Sequence, residues 1–432
     1  MEEAGPAEKI GVRSILADPA VRLVMIITFF IMLGFGIIAP ILPLYARSFG
    51  VGYEAAGLLI SSYAFTRLLF DPVAGPIVDR WGERAAATVG LLVVGVTSVA
   101  TGLAPNFLLA VVFRGLGGAG SSVLFAALYS YMLKVVPKHR MARTLGVFYG
   151  SFNIGFIAGG PIGGLIAKFL GLRSPLFVYA GLCLLSAVLY WRIVPDPSRT
   201  VATPSPADAT EPHPPGNAVS RAWHQARVLL SSRTFVTTVV ANMAFFWVIA
   251  GGYDTLVPLF GQSGLGMSTV GIGAVLAVAV ATEFCALYPA GALADRFGRK
   301  RLLIPALCWF AVMIAATGWA TGPIVFGILM ALLGLGSGSV AVAPAAMLSD
   351  VVPEGGSGAA VGVFRFFGDL GFVFGPLVAG VSASAFGFRG AFALMAAPLV
   401  LALVLVLRTP ETLKPRLKQK VERRPGSTTE PV

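Results

Sequence analysis

Along most of this chain apolar residues follow one another without a polar face. Leu23–Ala46, Ala85–Phe113 and Leu302–Ser349 carry no charged residue at all. Each is long enough for a bilayer crossing, which takes about 20 apolar residues, and the longest must fold into a hairpin of two crossings. Turn signals such as Leu103–Asn106 and Thr321–Pro323 divide the pattern into twelve expected helices. They lie near 21–46, 54–78, 86–104, 107–133, 143–169, 174–194, 235–261, 268–294, 301–320, 322–349, 358–386 and 388–408. The expected fold class is an all-α membrane protein.

Between the sixth and seventh helices the pattern changes in kind. The interval 195–233 opens with seven prolines from Pro195 to Pro215 and reads as a polar linker. Its end, VSRAWHQARVLLSSR, has the spacing of a short basic amphipathic helix suited to a membrane surface. Residues 1–20 and 409–432 are expected to be tails, the second of them basic. The start, MEEAGPAEKI, lacks the charged opening of a cleaved signal peptide, so the first hydrophobic run is expected to remain in the mature protein.

Composition agrees with the patterning: 56% hydrophobic and 12% charged residues, with a mean hydropathy of +0.82, lie outside the range of soluble domains. The net charge of +12 acquires a meaning once both termini are set in the cytoplasm. Then 25 of the 32 Lys and Arg fall on that side, four outside (Arg47, Lys168, Arg173, Arg389) and three within helices (Arg67, Arg114, Arg365). That is the positive-inside bias. Scattered over short loops and a tail, these charges favour anionic lipids as neighbours and speak against nucleic acid. Cys183, Cys285 and Cys308 fall inside expected spans without metal-ligand spacing and read as small packing residues.

The chain repeats itself at an offset of 216 residues. Gly75, Asp79, Arg80 and Gly82 fall on Gly291, Asp295, Arg296 and Gly298, and Gly146, Gly155 and Gly159 fall on Gly362, Gly371 and Gly375. Two six-helix bundles follow, 21–194 and 235–408, and duplicated bundles of this sort place a substrate between the halves near the bilayer midplane.

The loop motifs GALADRFGRKR (Gly291–Arg301) and GPIVDRWGER, the second with Glu83 where a basic residue is usual, resemble the signature of the major facilitator superfamily. GFGIIAPILPLY in the first helix, Arg114 followed by GLGGAG in the fourth, and GFIAGGPIGG (Gly155–Gly164) in the fifth are similar to motifs of its drug:proton antiporter branch. The resemblance implies the major facilitator fold, two pseudo-symmetric bundles, and an export direction. It also implies a cytoplasmic gate at Gly75, Asp79, Arg80, Gly82 and Arg84 and at Gly291, Asp295, Arg296, Gly298 and Arg299, with carboxylates and arginines latching the halves. In the antiporter motif, Gly155, Gly159 and Gly163 share one helix face, Gly160, Pro161 and Gly164 complete the motif, and either close packing or leak prevention accounts for the small residues.

Ionisable residues at membrane depth are functional candidates because each costs several kcal/mol unless paired or hydrated. Arg67, Asp71 and Gly75 form one stripe of the second helix, and Arg365 and Asp369 repeat the spacing in the eleventh. In the resembled fold these helices face each other, so the four charges are expected to form one interdomain network, either holding register or gating. Glu283 occupies the repeat position of Arg67, roughly 18 Å along the helix from Asp295. Its expected facing helix, the fifth, offers Asn153 and no base. Such a carboxyl group is either a proton carrier, loaded and released as its hydration alternates, or a permanently neutral hydrogen-bonded acid. Asp254 is the second candidate carrier or a contact for a cationic substrate, and the resemblance links Arg114 to proton coupling. Phe29, Phe245 and Trp247, with Asn153, are candidate cavity residues, though such aromatics equally face lipid.

These readings converge on a monomeric secondary transporter that exports small amphipathic compounds in exchange for protons by alternating access, driven by the proton gradient without a cofactor. Its expected location is the cell membrane. An uptake symporter is the alternative, against which the glycine-proline motif argues. A lipid-modifying enzyme is the weaker one: His139, His213 and His224 lie in expected cytoplasmic loops, and no nucleophile sits with a base in a recognisable motif.

Overall fold

Within hydrocarbon the backbone finds no water, so apolar segments of membrane length satisfy their own N–H and C=O groups by coiling. The computed structural model describes residues 19–136, 141–194, 218–351 and 357–412, and these are helical apart from short turns. The first half comprises α1 (Pro19–Ile38), α2 (Leu42–Arg47), α3 (Tyr53–Trp81), α4 (Glu83–Leu103), α5 (Phe107–Val135), α6 (Met141–Leu170) and α7 (Ser174–Ile193). After α8 (Ala218–Ser231), the second half runs through α9 (Arg233–Trp247), a π-helical segment (Val248–Leu256), α10 (Val257–Ser263) and α11 (Thr269–Phe297). It continues with α12 (Arg299–Thr317), α13 (Pro323–Val351), α14 (Ser357–Met395) and α15 (Ala397–Arg408).

Ten of these stretches are apolar and long enough to cross a bilayer, and the last of them, Ala360–Arg408, reverses direction at Gly387. Gly387 has φ +68°, a left-handed conformation that L side chains resist. Counting α3, whose middle carries Arg67 and Asp71, the described residues supply the twelve membrane-length segments expected. Gly82 and Gly298, equivalent positions of the repeat, both adopt positive φ (+81° and +108°) and let consecutive spans meet with no intervening loop.

Three expected spans are interrupted. The first stops at Ile38 and resumes as α2, because Pro40 has no N–H to continue the ladder and Pro43 suits a helix start. The seventh widens into the π-helical segment. The twelfth breaks at Ala396, two residues before Pro398. Of the linker, 195–217 lie outside the described residues, as do 1–18 and 413–432 of the tails, but the amphipathic stretch is a helix, α8. The second tail begins clasped to its own half: Glu411 accepts from the backbone N–H groups of Arg299 (2.9 Å) and Lys300, at the start of α12.

Packing repeats with the sequence. In the first half the first span lies on the fifth, the second on the fourth and the third on the sixth; in the second half the seventh lies on the eleventh, the eighth on the tenth and the ninth on the twelfth. The halves meet where α3 packs on α14 and α6 on α11. These seams are images of each other: Gly57 lies against the backbone of Pro376, and its counterpart Gly273 against that of Gly160, while Gly380 against Tyr53 matches Gly164 against Thr269.

All these contacts lie towards the face opposite the chain termini. There Ser61 donates to the Val373 carbonyl (2.6 Å), Ser384 bonds Glu54, and the ring of Tyr53 packs on Phe388 and Phe388 on Phe260. Towards the terminal face the same helices diverge, and a methyl group at Gly75, Gly150 or Gly362 would touch nothing within 4 Å. The molecule is closed at its distal face and open at its terminal face.

A side chain at Gly164 would bring its Cβ to 2.4 Å from the Thr269 carbonyl oxygen, a backbone atom that cannot swing away. Gly164→Leu is therefore expected to hold the distal seam open. Spin-label distances across α6 and α11 that match wild type would contradict this.

Candidate functional site

Just inside the distal closure, between the halves, lies a cavity of about 30 Å³. Space of that size holds a water molecule or two. Phe35 of α1, Tyr63 and Arg67 of α3 and Arg114 of α5 line it from the first half, and Asp254 of the π-helical segment and Phe372 of α14 from the second. Tyr63 and Arg67 are four residues apart, so one face of α3 presents both.

Arg114 is 3% exposed and lays its guanidinium over the ring of Tyr63, 4.1 Å from the centroid, while its Nε has no hydrogen-bond partner. The ring face attracts the cation, and within a dry bundle that attraction is worth about 2 kcal/mol. Asp254 is 7% exposed, and among the described residues it has neither a hydrogen bond nor an ion pair. Its backbone explains its place. Gly251 sets its Cα against the Gly375 backbone of α14, so close that a Cβ would come within 2.6 Å of the carbonyl. π-helical turns are uncommon and recur at functional sites.

Next to the cavity Arg67 pairs with Asp369 across the halves, and the guanidinium lies over Phe372, 5.3 Å from the ring centroid. Asp71 is within electrostatic reach of both but takes its hydrogen bond from Ser122 of α5. The expected four-charge network thus contains three. Arg365 is exposed and has no ion pair among the described residues, because it sits on the part of α14 that has already diverged from α3.

Glu283 also departs from expectation. It does not line the cavity and is not stranded: its Oε2 accepts a 2.6 Å hydrogen bond from Ser337 Oγ on α13. Tyr253, one residue before Asp254, is buried within electrostatic reach of Glu283 and beside Ser337, and its hydroxyl forms no hydrogen bond of normal geometry. Adjacent residues of the π-helical segment therefore attend to two different acids, Asp254 itself and Glu283.

None of the four expected cavity residues Asn153, Phe29, Phe245 and Trp247 lines this cavity. Phe245 points into its own half, onto Phe246 (5.1 Å between centroids) and Phe310 of α12 (6.4 Å). Phe29 packs on Phe30 (5.6 Å), and the Trp247 backbone lies against Gly371 and Gly375. The glycine-proline motif serves two contacts at once. Gly155, Gly159 and Gly163 meet the backbone of α1, whereas Gly160 and Gly164, one position on, meet α11 of the other half.

The loop motifs bond within their own halves, not across them as the latch reading expects, since the terminal face is open. Asp79 is exposed with no ion pair among the described residues, and Arg84 stacks on Trp191 (4.9 Å). Asp295 pairs with Arg299 (2.6 Å), which also reaches Asp350 at the end of α13 (3.1 Å). In the first half Glu83, its side chain fully buried, pairs with Lys134 at the end of α5 (2.5 Å) and accepts from Ser130 (2.7 Å). Glu83 and Arg299 are repeat equivalents, and so are Lys134 and Asp350. The two halves close the same joint with the charges reversed, which accounts for the unusual Glu83. His224 is exposed on α8, and His139 and His213 lie outside the described residues.

Tyr63, Phe35, Phe372, Ser122, Ser337, Lys134 and Asp350 are the contributors that patterning passed over. Only the last two carried a signal, the 216-residue offset that joins them to Glu83 and Arg299.

The sequence matches the family model described as Major Facilitator Superfamily over residues 24–285 and 265–430. It is 22% identical over 353 residues to the quinolone resistance protein NorA of Staphylococcus aureus (strain Mu50 / ATCC 700699), covering 82% of this chain and 87% of that protein. To the multi-drug resistance efflux pump PmrA of Streptococcus pneumoniae serotype 4 it is 26% identical over 365 residues, with the same coverage. Among solved structures, a bacterial homologue of the human lysosomal transporter Spinster, in an inward-facing and occupied conformation, superposes with a TM-score of 0.75 at 14% identity, over 91% of this chain and 96% of that one. A mutant form of the nucleoside transporter NupG does so with a TM-score of 0.73 at 12% identity, over 90% and 99%.

Proposed function

Since the chain belongs to the major facilitator superfamily and is a multi-pass membrane transporter rather than an enzyme, we propose that it exports amphipathic compounds in exchange for protons. The observation that carries the proposal is Asp254, a buried carboxyl group without a partner among the described residues, in a chamber between two halves that are joined at one face only. An unpaired charge in such a place is costly. A proton or a cationic group of the cargo relieves the cost equally well, and the two compete for the same oxygens. Exchange follows from that competition, provided the halves rock so that the chamber faces each side in turn.

The bias of Lys and Arg supports a cytoplasmic terminal face, and on that reading the present conformation is inward-open. The functions named for the two bacterial relatives, quinolone resistance and multidrug efflux, support export and drug-like cargo. Arg114 faces the same chamber from the first half, unpaired with Asp254, and Glu283, held by Ser337, is the second acid of the second half.

The test is uphill movement of an amphipathic dye in proteoliposomes with an imposed pH gradient. Asp254→Asn is expected to lower gradient-driven flux at least tenfold while downhill movement persists; Glu283→Gln, measured alongside, assigns the second acid. Gradient-driven flux of wild-type size in the Asp254→Asn protein would reject this carboxylate as the exchanging group.

A further inference from the structure

The cavity between the halves holds two charged groups that no ion pair answers among the described residues. Of the three charged residues that line it, Arg67 is answered by Asp369, which leaves Arg114 on the first half and Asp254 on the second. Both are more than nine-tenths buried, both face the same space, and they make no ion pair with each other. The apolar part of the lining includes three rings, Phe35, Tyr63 and Phe372. A guanidinium that binds a ring face keeps its edge free, and that edge is the part that receives a carboxylate in two parallel hydrogen bonds. A buried carboxylate takes an ammonium group.

From this arrangement we infer that the preferred cargo is zwitterionic: an aromatic body bearing a carboxylate that docks on Arg114 and a protonated amine that docks on Asp254. Such a ligand neutralises both charges and spans both halves, so its binding favours the state in which they close around it. A simple cation leaves Arg114 unanswered, and a simple anion leaves Asp254 unanswered. Leaving a buried charge without a partner is the means by which polar sites reject near-analogues. The volume of about 30 Å³ excludes such a molecule from the present conformation, so entry requires the chamber to widen from the open terminal face. The inference rests on the transport reading for its setting but concerns equilibrium binding alone.

The experiment uses the full chain in lipid nanodiscs without a gradient and four probes on one skeleton: an arylpiperazine carboxylic acid, its methyl ester, its N-acetyl derivative and the doubly masked compound. The free amino acid form is expected to bind at least tenfold more tightly than either singly masked form. Arg114→Gln should erase its advantage over the ester, and Asp254→Asn its advantage over the N-acetyl derivative. Equal binding of the doubly masked compound to both variants and wild type establishes that the cavity remains intact. An ester that binds as well as the parent identifies a site for cations and overturns the inference; an N-acetyl derivative that does so identifies a site for anions and overturns it too. So does an advantage that survives in the variants. Zwitterion preference without gradient-driven flux would sink the export reading alone, and coupled flux without the preference would sink this inference alone.

Discussion

Asp369→Asn should leave the protein with its distal face open and its transport reduced by about two orders of magnitude. The pair that Asp369 makes with Arg67 exists only while α3 and α14 are together at that face. Removing one partner of a buried pair costs about 3–5 kcal/mol, because the other charge stays buried without it. Arg67 retains 22% exposure of its side chain, which places the expected cost near the lower bound, about 3 kcal/mol. Once the halves part, water takes over the guanidinium and the penalty disappears. The closed state alone is penalised, and at about 1.4 kcal/mol per tenfold the balance moves about a hundredfold towards the open one. Asp71 stands near enough to soften this, so the Asp71→Asn, Asp369→Asn protein should be displaced further. Spin labels at Glu54 and Ser384, which bond each other across the closed seam, report the change as a longer distance. An unaltered distance distribution in both variants would show that the pair does not govern closure.

The second large effect is expected at the joint between α4 and α5. Glu83→Lys sets an ammonium group against Lys134 where a fully buried carboxylate now accepts from Lys134 and Ser130. An unsatisfied buried polar group costs about 1–3 kcal/mol, and the like charges add to it. The variant should melt several degrees lower and yield less folded protein. The reversed pair Glu83→Lys, Lys134→Glu reproduces the polarity that Arg299 and Asp350 already use in the other half, and should recover most of the loss. Equal melting temperatures for the single and double variants would mean that the pair contributes nothing. Lys134 is 41% exposed, so part of the single-variant effect should fade at high salt.

How much of this was legible in the sequence depends on which physical constraint wrote it. The spans were legible because a bilayer imposes one length and one polarity on every crossing, and the repeat because both halves solve the same packing problem. Pro40 could be read as a weak point, but the break at Ile38 needed Pro43, a few residues on, to begin another helix. The π-helical segment was not legible, since its widening depends on Gly251 meeting Gly375 of a helix more than a hundred residues away. Arg67 and Asp369 followed from spacing and symmetry. Arg365 did not: one turn from Asp369 along α14, it lies past the point where the two halves separate. Glu283 looked stranded because the serine that meets it sits in a small-residue run, SGSV, with nothing to distinguish it from packing. Aromatic side chains were the least readable, as a phenylalanine suits lipid, core and cavity equally, and only the fold chose Phe35 and Phe372 over Phe245.

The opposite polarity of the two short-range joints bears on how the polypeptide assembles as it is made. Two bundles built from one ancestral plan offer each emerging helix a rival berth of nearly identical shape in the other bundle. In the wrong berth Glu83 would meet Asp350, and Arg299 would meet Lys134, like against like. Such a mismatch penalises the exchange that shape permits, so the spans that meet at these two joints are steered to their own bundles by the sign of a single residue at each end.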